Sequence, residues 1–140
     1  MTTIAYQNGV MAGDSQANYN DTQVGRLTKV IKVNGMLAGA AGDLQDVQIF
    51  FDWVTHGMHD TNKPEELNFV GMVVTKTGKV LQFDKKVVAF EIEAPFHAIG
   101  SGREFAIGAM EAGASAYQAV VAAAKYDNST GGEIIVESLL

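Results

Sequence analysis

Two Asn-Gly dipeptides, Asn8-Gly9 and Asn34-Gly35, each stand between short β-prone runs, and no other local feature restricts this chain as tightly. A two-residue hairpin loop needs positive φ at both central positions, which Asn and Gly adopt at low cost. Residues 2–7 and 10–14 therefore read as one hairpin, and residues 29–33 and 36–41 as a second. The stretch from 15 to about 25 between them is polar and reads as a loop.

From Asp43 the period changes. Leu44, Val47, Phe51, Val54 and Met58 fall at i, i+3 and i+4 spacing, which predicts an amphipathic helix from about 43 to 58 with Asp43 as N-cap. Gly57 and the polar run 59–66 end it, and Pro64 prevents immediate continuation. Strands are expected at 69–75, 80–83 and 87–92, with a turn at 76–79. Two more helices are expected at 103–111 and 116–125, the second opened by a Ser115/Gln118 capping box and rich in Ala. Gly131-Gly132 breaks the chain before a last strand at 133–139. Antiparallel hairpins with helices grouped between them make an α+β layered sandwich in a single domain spanning residues 1–140.

Composition narrows the function classes. A formal charge of −6 and a pI near 4.9 speak against sequence-independent nucleic-acid binding, which needs clustered Lys and Arg. The absence of Cys removes disulfides, thiol nucleophiles and Cys-built zinc sites, and suits a reducing cytoplasm. Neither a leader nor an apolar run near 18 residues is found, so a cytoplasmic protein with no membrane span is expected.

The histidines carry little chemistry. His56 and His59 stand at i, i+3 without a trio of acids to complete a metal site, and read as a solvated helix end. His97 reads as a strand residue beside Pro95. Gly100-Ser101-Gly102 precedes a helix, but it lacks the P-loop Lys and does not extend to G-x-G-x-x-G. The chain start is less ordinary. Removal of Met1 would leave Thr2 with a hydroxyl and a free α-amine, and an amine titrating near pH ~8 can accept the hydroxyl proton. Thr at position 2 is common, so this feature alone decides nothing.

More residues join it in order. Thr2-Thr3-Ile4-Ala5, Gly13-Asp14-Ser15-Gln16-Ala17, Lys29-Val30-Ile31-Lys32-Val33-Asn34, Ala40-Ala41-Gly42, Ala98-Ile99-Gly100-Ser101-Gly102 and Tyr126-Asp127-Asn128-Ser129-Thr130-Gly131-Gly132 resemble the proteasome β subunits and their bacterial relative, the HslV peptidase. The match extends from Thr2 to about Val136. This resemblance implies a four-layer αββα sandwich of the N-terminal-nucleophile hydrolase type, and threonine-type endopeptidase activity without metal or cofactor. It implies that Thr2 is the nucleophile and Lys29 the family's catalytic lysine, held by the acid Asp14. Gly42 would supply an oxyanion-hole N–H, Ser101 would bond the terminal amine, and Asp127 and Thr130 would support it, with Thr in place of the family's Ser. Arg26 is a rival for the lysine's place. By the same resemblance the first specificity pocket would be lined by Ala17, Asn18, Leu27, Ile31, Ala40 and Leu44, with Gln48 at its base, which favours apolar residues on the acyl side.

The resemblance also implies a homo-oligomeric ring, a peptide or unfolded-protein substrate, and an ATP-dependent unfoldase as a further partner. The chain departs from the family at 59–67, which is too short for the second helix of the first pair. As in HslV, only Met1 would need removal. Two other classes remain open: an N-terminal-nucleophile amidase acting on a small amide without a ring, and a non-catalytic ring or structural protein.

Overall fold

The computed structural model describes residues 2–19 and 22–140, so the expected processing at Met1 lies outside the described residues. Strands β1 (Thr3–Gln7) and β2 (Val10–Gly13) form the first hairpin, and β5 (Val30–Val33) and β6 (Met36–Gly42) the second. Their registers close on Gln7↔Val10 and Val33↔Met36, leaving Asn-Gly as two-residue loops. Asn8 and Gly9 have φ of 52° and 78°, and Asn34 and Gly35 have 53° and 74°, the left-handed values such loops demand.

The expected polar loop after residue 15 is a correction. It is a hairpin of β3 (Gln16–Tyr19) and β4 (Thr22–Arg26), irregular between Ala17 and Asn18. Strand β4 is exposed along its whole length, so no hydrophobic alternation announces it.

Helix α1 (Leu44–Thr55) ends three residues sooner than expected, and Asp43 does not cap it with its side chain. Asp43 instead accepts from the Asn68 amide group at 3.0 Å, while the Asn68 backbone N–H donates to Asp46 at 2.7 Å. Residues after α1 form only a short 3-10 turn, Asp60–Asn62, in place of a second helix.

Strands β7 (Phe69–Val74), β8 (Val80–Phe83) and β9 (Ala89–Ile92) follow. The last begins two residues late because Val87 closes a turn onto the Asp84 carbonyl at 2.8 Å. Val87 holds an unfavourable φ of 57° there, with its side chain buried under α1. Strand β10 (Phe96–Gly100), helices α2 (Arg103–Glu111) and α3 (Ala116–Tyr126), and β11 (Ile135–Ser138) complete the chain, with both bonds of the Ser115/Gln118 capping box formed.

The result is a mixed α+β fold with antiparallel sheets ordered β10-β1-β2-β11 and β5-β6-β7-β8-β9, plus the β3-β4 hairpin. Strand parity distributes the core. Ile4, Tyr6, Met11, Leu37 and Met72 face one another between the two larger sheets. Their neighbours Ala5, Ala12 and Ala98 face α2 and α3, where small side chains let the Ala-rich α3 approach closely. Ala38, Ala40 and Val73 face α1, whose Phe50, Phe51, Trp53 and Val54 fill the third core.

Candidate active site

The N-terminal end of β1 is where separate parts of the chain converge. Thr3 opens β1 and Asp14 directly follows the adjacent β2, and the Asp14 N–H donates to the Thr3 carbonyl at 3.2 Å. The Asp14 side chain is fully buried. Its Oδ1 accepts from Thr3 N–H at 3.1 Å, and its Oδ2 accepts from Lys29 Nζ and from Gly131 N–H, each at 3.1 Å. A buried carboxylate with three donors, one of them cationic, is well compensated. Burial pushes the Lys29 pKa below its ordinary value, against the opposing pull of Asp14 and, more weakly, Asp127. Arg26, the rival cation, points elsewhere and pairs with Glu133 at 2.7 Å in an exposed bridge.

A second polar chain reaches Thr2 from the opposite side. Thr2 N–H donates to Ser101 Oγ at 3.2 Å, Ser101 donates to Asp127 Oδ2 at 2.6 Å, and Thr130 donates to the same oxygen at 2.6 Å. Burial pushes Asp127 up, but the Ser101 and Thr130 hydroxyls and the Ser129 N–H outweigh it and hold its pKa below the ordinary carboxylate value. An ionised Asp127 fixes the direction of every proton around it. Thr130 has only one hydroxyl proton and gives it to Asp127, so the 2.8 Å bond between Thr3 and Thr130 has Thr3 as donor. Ser101 likewise gives its proton to Asp127 and presents a lone pair to the Thr2 nitrogen.

Helix α2 begins at Arg103, directly after Gly102, and the tight Gly100-Ser101-Gly102 bend brings Gly102 N–H to the Thr2 carbonyl at 3.3 Å. Gly42 ends β6 with φ of 138°, and a Cβ there would stand 2.5 Å from the Asn68 carbonyl oxygen. Only glycine lets the two strands approach this closely with the backbone in that conformation.

Thr2, Lys29 and Gly42 share the wall of a small pocket of about 60 Å³. Of the residues expected to line it, Leu27, Ala40, Leu44 and Gln48 do so, joined by Thr28, Val47 and Phe51. Ala17, Asn18 and Ile31 do not share that wall. Ala17 and Asn18 belong to the β3-β4 hairpin, where Asn18 accepts from Gln16 at 3.1 Å, and Ile31 packs against the α1 core.

Thr3, Ser129 and Gly131 make contacts in this site that sequence reasoning missed. The doubled Thr at the chain start and the Gly-Gly pair were visible signals, but the bond joining Thr3 to Thr130 spans 127 positions. His97 lies on β10 and bonds Gln82 at 2.6 Å, and His56 and His59 are exposed, as expected of all three. Among the described residues no group of three metal-ligating side chains occurs, and no helix is long and apolar enough to cross a membrane.

No family model matches the chain, and no curated protein matches it. Solved structures do. Thiobacillus denitrificans BPH in complex with epoxomicin superposes with a TM-score of 0.71 at 18% identity, covering 99% of this chain and 98% of that one. Thiobacillus denitrificans BPH alone gives a TM-score of 0.69 at the same identity and coverage. At this identity the likeness shows a shared fold.

Proposed function

We propose that this protein is a threonine-type peptidase of the N-terminal-nucleophile class, a proteasome β-subunit or HslV-like protein built as a four-layer αββα sandwich. The observation that carries the proposal is the convergence on the β1 terminus of two polar chains, Lys29–Asp14 and Ser101–Asp127–Thr130, beside one small pocket. A structural role does not require a buried Lys–Asp pair at that place. The epoxomicin bound to the fold neighbour supports the same reading, since epoxomicin inhibits proteasome-type threonine proteases.

In this mechanism removal of Met1 frees the Thr2 amine. The neutral amine takes the Thr2 hydroxyl proton as the oxygen attacks the scissile carbonyl, and Lys29 stabilises the developing alkoxide. The Gly42 N–H donates to the oxyanion. Ser101, whose own proton is committed to Asp127, keeps a lone pair on the amine and orients it. The ammonium then protonates the leaving amine, and water releases the acyl group from Thr2 by the reverse sequence. Leu27, Ala40 and Leu44 favour an apolar side chain on the acyl side. We place the reaction in the cytoplasm, in a homo-oligomeric ring that takes peptides or proteins delivered unfolded by an ATP-dependent partner.

Intact mass before and after incubation with epoxomicin tests this. Loss of Met1 and one adduct, abolished in Thr2→Ala, is the expected result. A chain lacking Met1 that forms no adduct refutes the proposal.

A further inference from the structure

The small pocket beside Thr2 is not the only cavity that touches the site. A second, of about 750 Å³, opens between the two larger sheets on the β10 side. The two share a partition, Ala41 and Gly42 at the end of β6, and the larger one adds Gly100 and Ser101 from the far side. Its size falls in the range of sites that enclose a ligand, whereas about 60 Å³ is well below it.

Resting on the peptidase reading, we propose that this inter-sheet cavity is the leaving-group subsite, and that it takes a peptide segment whose first residue after the cut bond carries a bulky apolar side chain. A scissile carbonyl directed at the Gly42 N–H straddles the partition. Its acyl side then faces Leu27 and Leu44, and its amine side faces Phe69, Val70, Ile99 and Ile107. The interior polar side chains of His97 and Gln82 satisfy each other, since His97 Nε2 bonds the Gln82 side-chain Oε1 at 2.6 Å. Burial pushes the His97 pKa down, which keeps the imidazole neutral. The charges stand at the exposed mouth and are engaged there. Asp84 accepts from Gln82 at 3.2 Å, Asp43 accepts from Asn68 at 3.0 Å, and Arg103 donates to the Gly100 carbonyl at 3.0 Å. An apolar interior behind a polar rim rewards a large hydrocarbon or aromatic group and gives an ionic one no partner. Selectivity then lies mainly on the amine side of the bond.

Competition for the acyl-enzyme tests this. With a peptide ester as acyl donor, an added amino-acid amide attacks the Thr2 ester carbonyl. The C–O bond breaks, Thr2 regains its proton, and a new peptide forms in place of the free acid. Phe-amide is expected to capture the acyl group at a concentration about tenfold below Gly-amide, the factor that burying part of an aromatic side chain supplies. Ile107→Trp, which narrows the mouth from an exposed helix position, is expected to erase most of that preference. Phe-amide added to the free protein should also shift the methyl resonances of Val70, Ile99 and Ile107. Equal capture of the two amides with ester hydrolysis intact overturns this inference alone. Absent methyl shifts overturn it too, and point to a cavity filled by a neighbouring copy. A protein that neither hydrolyses the ester nor forms the epoxomicin adduct overturns the peptidase reading as well.

Discussion

Replacing Lys29 by Met keeps the length of the side chain and deletes its charge. Asp14, with 0% exposure, would retain its two backbone donors from Thr3 and Gly131 and lose the Lys29 ammonium at 3.1 Å. At that separation the gross attraction is about 5 kcal/mol for an effective dielectric near ~20. Part of this is offset, because the ammonium is no longer held out of water, and burial is the largest influence on Lys29. The net loss should be about 3 kcal/mol, the lower end of what breaking a buried pair costs. For a chain of 140 residues this corresponds to a melting temperature lower by about 10 °C. Urea unfolding of the wild type, Lys29→Met, Asp14→Asn and the double variant closes a thermodynamic cycle. A coupling energy of about 1.5 kcal/mol or more is expected, with the double variant less damaged than the two single losses added together. A Lys29→Met protein within about 0.5 kcal/mol of wild type, or strictly additive variants, would refute the account of this pair.

Three other outcomes follow from the same geometry. Asp127 has a folded pKa below its usual 3.8, so its ionised form contributes stability that is fully present above 3.8 and lost as pH falls through the folded value. The stability difference between wild type and Asp127→Asn should therefore stay flat from neutral pH down to that point and shrink below it, as followed by denaturant titration at several pH values. Gly42→Ala places a methyl 2.5 Å from the Asn68 carbonyl oxygen and 2.6 Å from Phe69 Cα at a φ of 138°, and should lower the unfolding free energy by about 3 kcal/mol in urea titration. Thr3→Val leaves the Thr130 oxygen without its donor, costing about 1–2 kcal/mol. It should also slow epoxomicin adduct formation relative to wild type, as read by mass spectrometry over time, while Thr3→Ser retains most of the rate.

Local chemistry made much of the fold legible. Asn-Gly needs only its own backbone preference, the 3.6 period of α1 reflects one apolar face, and the Ser115/Gln118 box is closed within four residues. The failures have physical causes of their own. Strand β4 buries nothing, so its pairing leaves no hydrophobic pattern, and Asp43 turns away from its helix because Asn68 offers a partner from the next strand. In the site, resemblance pointed to Asp14, Lys29, Ser101 and Asp127, whereas spacing alone did not. Thr3 and Gly131 stayed hidden because their partners, Thr130 and Asp14, lie 127 and 117 positions away. Ile31 illustrates parity: beside Val30, which lies in the inter-sheet core, it packs on the opposite face against the α1 core.

Those long separations also set a timetable. Thr3 meets Thr130, Asp14 meets Gly131 and Thr2 meets Ser101 only when opposite ends of the chain have come together. Such closures are entropically late. A nascent chain still short of its final segment has the first hairpin and the threonine, but neither the Gly131 donor on Asp14 nor the Asp127 carboxylate that sets proton direction. The polar cluster at the start of β1 is therefore among the last parts of the fold to be completed, after the local hairpins and helices that surround it.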